Sequence, residues 1–187
     1  THTEGGLPRD WTKGQLMEHL DKMLKVEHAT IPLYLVALYS IRPGHLPDAR
    51  KLLKGIVHEE MQHMATVCSI ILALGGTLDL ANPANVPQFP TKLPLDRVPN
   101  VTFDLRPLSS DVLRNFLEIE HSNQFVCDCR AIDTTSVCTL NVPEPGSERA
   151  KENTIAEAYL AVREALIGLE DKAAANGTTI FVGPFDR

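Results

Sequence analysis

Four stretches of the chain repeat apolar residues at helical spacing, which predicts four helices. The first runs from about Thr12 to Ser40, with Leu16, Leu20, Met23, Leu24, Ile31, Tyr34, Leu35 and Leu38 on its apolar side. Thr12 and Gln15 have the spacing of a capping box, and Pro32 falls inside the pattern, where a missing donor should kink it. The second runs from about Pro47, a favoured first-turn residue, to Leu74, where Gly75-Gly76 supplies a stop. Its seam alternates steps of three and four through Leu53, Ile56, Glu60, His63, Val67, Ile70 and Leu74.

The third pattern spans about Ser110 to Val126, with Leu113, Phe116, Leu117 and Glu120 assigned to one face. The fourth spans about Ser147 to Ala175, with Ile155, Ala158, Val162, Leu166 and Leu169 as its strongest stripe, and Thr178 to Arg187 read as an extended tail. Between the second and third lies a Pro- and Asn-rich segment, Thr77 to Pro107. It also carries Val86, Phe89, Leu93, Leu95, Val101, Phe103 and Leu105, so it reads as a packed crossover rather than a linker. The expectation is an all-α four-helix bundle, one domain over residues 1–187, whose second and third helices run parallel.

Composition narrows the function classes. Hydrophobic residues make up 43% of the 187, enough for a sizeable core, while aromatics make up only 5%, so Leu, Ile, Val and Ala must fill it. The formal net charge is -6 and no Lys/Arg cluster stands out, which disfavours nucleic acid as a partner. No apolar run suits a bilayer span, the start is polar, and a cytoplasmic location is the expectation. Cys68 lies in an apolar helical run and reads as a buried thiol. Cys127, Cys129 and Cys138 read as free thiols or one local disulfide, since C-x-C lacks the spacing of common zinc sites.

The chemistry concentrates on the seams. Glu60 and His63 are three apart, share one helix face, and that face is the apolar seam. A buried carboxylate costs several kcal/mol unless it is paired or metal-bound. Glu27 interrupts the stripe of the first helix in the same way, Glu120 that of the third, and Glu157 sits at the edge of the fourth. One inward Glu from each of two helices, with Glu-x-x-His from each of the other two, is the pattern of carboxylate-bound metal in bundles. Glu27, Glu60, His63, Glu120 and Glu157 are therefore the candidate ligands, with Glu157 also a candidate base and His58 a candidate proton relay. Leu160 stands where a second Glu-x-x-His would need its histidine, so the second ion is either held by carboxylates or missing. His28 and His121 point about 100° away from the neighbouring glutamates, while His19 and His45 read as surface residues. A zinc-protease motif is excluded, because Gln62 occupies the second histidine position after His58-Glu59.

At these residues the chain resembles a known family. Val26-Glu27-His28-Ala29-Thr30-Ile31-Pro32-Leu33-Tyr34-Leu35-Val36-Ala37-Leu38-Tyr39-Ser40-Ile41 is similar to the "LE-x-ATIP-x-YL-x-ALYSI" segment of the ferritin-like domain in iminophenyl-pyruvate dimer synthases, enzymes of bisindole pathways such as those to violacein and rebeccamycin. Glu59 to His63 with Leu72 to Gly76 resembles "EEM-x-H…LNALGG", and Phe89 to Pro94 resembles "YP-x-x-LP". Phe116 to Glu120 resembles "FL-x-IE", and Thr154 to Tyr159 resembles "TIGEFY". The resemblance covers residues 15 to 170. It implies a ferritin-like bundle, metal roles for Glu27, Glu60, His63, Glu120 and Glu157, and an oxidative role in specialised metabolism.

The expected function is then a non-haem metal oxidoreductase, with iron as the metal. It would act with O2 or peroxide on a small substrate derived from an amino acid; a homo-oligomer is compatible with the sequence. Two alternatives stand beside it. One is iron storage, against which the crossover and the cysteine loop argue; the other is a non-catalytic helical assembly module.

Overall fold

A computed structural model describes residues 8–94, 101–120 and 155–183; for Glu120, Ile155, Ala156 and Glu157 it describes the backbone. It is all-helical: α1 spans Lys13–Ser40, α2 Pro47–Ala73, α3 Ser110–Glu120 and α4 Ile155–Ala174. Two short 3-10 turns, Pro8–Asp10 and Pro83–Asn85, complete the regular structure among the described residues. The expected continuation of the third helix to Val126, the start of the fourth at Ser147, and Cys127, Cys129 and Cys138 lie outside the described residues.

The caps form as the sequence indicates. The Thr12 side chain accepts from the Gln15 backbone, and the Gln15 side chain accepts from the Thr12 backbone, closing a capping box at the head of α1. Pro47 occupies the first turn of α2. At its far end Gly75 N–H donates to Leu72 and Gly76 N–H to Ile71, both at 2.9 Å. Gly75 has φ +78°, which glycine adopts without strain, so this is a Schellman stop. Helix α1 runs through Pro32 as one helical span.

Helix α1 is the central element. It buries Val26, Ala29, Thr30, Leu33 and Ala37 in addition to Leu16, Leu20, Met23, Leu24, Tyr34 and Leu38 of the expected stripe, so it is covered on most sides, while Ile31 and Leu35 are only partly buried. Its main partner is α2. The apolar core divides into two clusters along this pair. One gathers Leu16, Leu20, Met23 and Leu24 of α1 with Val67, Ile71 and Leu74 of α2 and Val162 and Ala165 of α4. The other gathers Leu33, Tyr34, Ala37 and Leu38 with Leu53 and Val57 of α2 and Val112, Phe116 and Ile119 of α3. Glu27, Thr30, Glu60 and His63 fall between the two.

Leu93 and Phe103 of the crossover are buried in the second cluster, and Thr91 and Phe103 exchange backbone hydrogen bonds of 2.8 and 2.7 Å. This segment packs on α1, as its apolar residues suggest, although Val86 and Leu105 are exposed and Leu95 lies outside the described residues.

Three local expectations need correction. In α3 the buried face is Val112, Phe116 and Ile119, while Leu113 and Leu117 are exposed. Both stripes have helical spacing and share Phe116, whose ring stacks on Tyr34, centroids 4.4 Å apart; Val112 and Ile119 turn into the same cluster. Cys68 is half-buried rather than buried, with burial still raising its thiol pKa. His19 is not a surface residue: its Nε2 lies 3.3 Å from the Ala158 carbonyl and its ring packs against Trp11.

The N-terminal turn docks on α4 through a glycine. A Cβ at Gly168 would stand 2.2 Å from the Arg9 carbonyl oxygen, whereas one at Gly55 would meet nothing within 4 Å. We expect Gly168→Ala to cost about 1–3 kcal/mol in urea unfolding, as overpacking against backbone does. Gly55→Ala should stabilise by about 0.5–1 kcal/mol through helix propensity. Equal midpoints for the two variants would refute this docking.

Burial lowers the pKa of His19 below 6.5, partly opposed by its hydrogen bond to Ala158 and helped by the Lys22 charge. The unfolded chain therefore takes up a proton that the folded chain refuses once the pH drops below the ordinary histidine value. The melting temperature should fall between about pH 7 and about pH 5, and His19→Gln should lessen that fall. Parallel pH profiles for the two proteins would contradict it.

Candidate metal centre

The two carboxylates and the histidine reach one point because of helix periodicity. In α1, Glu27 continues the buried row of Leu16, Leu20 and Met23; in α2, Glu60 and His63 lie between Val57 and Val67. Packing α1 on α2 brings these rows face to face. Glu27 is 1% exposed and Glu60 4% exposed. The His63 Nδ1 lies 3.7 Å from Glu27 Oε2 and 3.6 Å from Glu60 Oε1.

Those separations exceed hydrogen-bond length. They suit atoms that each lie about 2.0–2.2 Å from a shared divalent ion. Ligand atoms of all three residues fall within 4.8 Å of one another, the only such group of three among the described residues. Nδ1 of His63 is buried and has no hydrogen-bond partner among the described residues. A buried ring nitrogen without a partner, aimed between two carboxylates, fits a metal ligand: the ion would supply both the missing partner and the positive charge. The His63 side chain is 44% exposed overall, but Nδ1 itself is buried, so that exposure lies on the rest of the ring.

Two hydroxyls complete the surroundings. Thr30 Oγ1 donates to Glu60 Oε2 and also lies 3.0 Å from the Glu27 backbone carbonyl. Tyr159 of α4 donates to Glu27 Oε1 at 2.9 Å, its ring 6.0 Å from His63. Burial, then the charges of Glu27 and Glu60 and the hydrogen bond itself, pushes the Tyr159 phenol far above its ordinary pKa, so it remains a proton donor.

The structure thus brings together Glu27, Glu60 and His63. Glu120 ends α3 and Glu157 lies in the first turn of α4, but their side chains are outside the described residues. His58 is exposed on another face of α2, lining a groove with Leu35, Tyr39, Arg50 and Met61, and does not join the three. His28 lines a separate cavity with Asp21, Lys25 and Asp79. Leu160 is 53% exposed; among the described side chains of α4, its neighbour Tyr159 reaches the centre. Thr30 carries no chemical signal of its own in the sequence, yet its place three residues after Glu27 puts it on the same helix face.

Without a cation, the two buried carboxylates repel each other and His63 Nδ1 lacks a partner. Chelator-treated Glu60→Gln should therefore melt no lower than the chelator-treated parent. Added Fe(II) at 100-fold over Kd should raise parental stability by about 2.7 kcal/mol and leave the variant unchanged. Equal metal-induced shifts in both proteins would rule Glu60 out as a ligand.

No helix among the described residues is long and apolar enough to cross a membrane. No curated protein and no solved structure matches this chain. A comparison with protein families matches residues 20–187 to the family described as Ferritin-like. With a helical bundle and an inward Glu, Glu and His cluster already in place, that match spans nearly the whole chain, and the protein belongs to the ferritin-like family.

Proposed function

We propose that the protein is a non-haem iron oxidoreductase that uses O2 or peroxide to oxidise a small amino-acid-derived substrate in specialised metabolism. The observation that carries this reading is the setting of His63: a buried Nδ1 without a hydrogen bond, facing two buried carboxylates, on a ring that is 44% exposed. A purely structural ion usually takes four protein ligands, whereas three leave a position for a reactant. Two carboxylates and one imidazole form a donor set suited to Fe(II). The bound metal supplies the redox equivalents and the binding position for O2 or peroxide.

The remaining roles belong to the chain. Glu27 and Glu60 hold the cation by charge, and His63 supplies a neutral nitrogen ligand and forms the exposed wall. The apolar clusters on either side exclude water from the carboxylates. Tyr159 keeps its proton on Oη and donates it in a hydrogen bond to Glu27. Glu120 and Glu157 are proposed as further ligands, Glu157 also as a base, and His58 as a relay at the surface. The substrate class rests on the resemblance of Glu27 to Ile41, Glu59 to His63 and Phe89 to Pro94 to the iminophenyl-pyruvate dimer synthases. A cytoplasmic location belongs to the same proposal.

Metal analysis of anaerobically purified protein tests it, beside a Glu60→Ala/His63→Ala variant. We expect iron in the parent, its loss in the variant, and O2 consumption by the iron-loaded parent with one or more amino acids or their imines. Protein that takes up no iron after reconstitution with Fe(II) would defeat the proposal. Iron uptake with no O2 consumption across the substrate panel would favour storage instead.

A further inference from the structure

The two carboxylates of the centre are held in the same way from opposite sides. Glu60 receives a hydroxyl hydrogen bond on Oε2 and turns Oε1 toward His63 Nδ1. Glu27 receives one on Oε1 and turns Oε2 toward the same nitrogen. In each case the oxygen bonded to the hydroxyl is the one not paired with the histidine. The donors come from different elements, Thr30 from α1 and Tyr159 from α4, so a single local motif does not explain the coincidence.

Both donors are constrained. Thr30 is fully buried, and its hydroxyl lies within reach of the Glu27 backbone carbonyl one helical turn back. A β-branched side chain in a helix has few rotamers, and the one adopted here puts Oγ1 beside both Glu60 and the Glu27 carbonyl, with its one proton donated to Glu60. Tyr159 is stiff, with its ring half-buried among apolar residues and its Oη at the end of a rigid lever. A carboxylate can bind a metal through one oxygen or two, and a hydrogen bond on one oxygen biases it toward the other.

Resting on the metal reading above, we propose that Thr30 and Tyr159 are positioning residues of the centre. Their hydroxyls each hold one oxygen of Glu60 and Glu27, so that each glutamate offers the ion a single oxygen beside His63. Tyr159 also makes assembly of the centre depend on the docking of α4, because only that helix brings Oη to Glu27. Losing either hydroxyl removes that bias, and its carboxylate can then bind through both oxygens. That changes the coordination number as well as the affinity.

The test uses Co(II) on the full, chelator-treated chain, because its visible absorption reports coordination number without any turnover. The variants are Thr30→Val, which keeps the shape and removes the hydroxyl, Thr30→Ser, which keeps the hydroxyl, and Tyr159→Phe. We expect Thr30→Val and Tyr159→Phe to bind Co(II) about 10–100-fold more weakly than the parent, with weaker visible bands. Thr30→Ser should keep the parental spectrum, and all four metal-free proteins should show the same far-ultraviolet circular dichroism. Parental Kd and spectrum in both hydroxyl-free variants would overturn the positioning role while leaving the metal site standing. Failure of the parent itself to bind Co(II) would overturn both. Should Thr30→Val not fold, Tyr159→Phe and Thr30→Ser decide the matter by the same readings.

Discussion

Two carboxylates buried in an apolar bundle set the terms for the rest of this structure. An ionised side chain in a core is costly, and a second one beside it adds repulsion. Glu27 and Glu60 occupy adjoining positions on the packed helices α1 and α2, sealed above and below by two apolar clusters. Selection for stability alone would place Leu or Met there. The arrangement makes physical sense when a divalent cation shares the space, because one ion offsets both charges and gives His63 Nδ1 its missing partner.

The fold serves that layer. The long α1–α2 pair carries four of the polar groups, and its continuous helices keep Glu27, Thr30, Glu60 and His63 in register. The crossover anchors Leu93 and Phe103 in the cluster on one side, and Phe116 of α3 stacks on Tyr34 nearby. On the other side α4 packs Val162 and Ala165 against α1 and α2. Its position is tied down by Gly168 against the N-terminal turn and by Glu170, which accepts from Ile180 N–H at 3.0 Å. Residues near the C-terminus close the same end: Val182 N–H donates to the Ala73 carbonyl at 2.7 Å. With α4 fixed, Tyr159 can reach Glu27.

Much of this was legible in the sequence because periodicity and capping are local. Thr12 with Gln15, Pro47 and Gly75-Gly76 mark helix ends by the groups they satisfy, and the seam of α2 placed Glu60 and His63 inward. Where two apolar stripes compete, local pattern does not decide. In α3 the choice of Val112, Phe116 and Ile119 depends on the apolar cluster contributed by α1, α2 and the crossover. His19 illustrates the same limit, since its burial comes from Trp11 and Ala158. Thr30 and Tyr159 were harder still. A hydroxyl in a helix usually bonds its own backbone, and only the meeting of α1, α2 and α4 reveals that these two grip the carboxylates.

The central claim is that one divalent ion sits between Glu27, Glu60 and His63. The most direct measurement is anomalous diffraction at the iron absorption edge from crystals grown anaerobically with Fe(II). An ion held there gives an anomalous peak bounded by His63 Nδ1 and one oxygen from each glutamate. Density for iron only at exposed sites, with the space between these three side chains empty or filled by water, would contradict it.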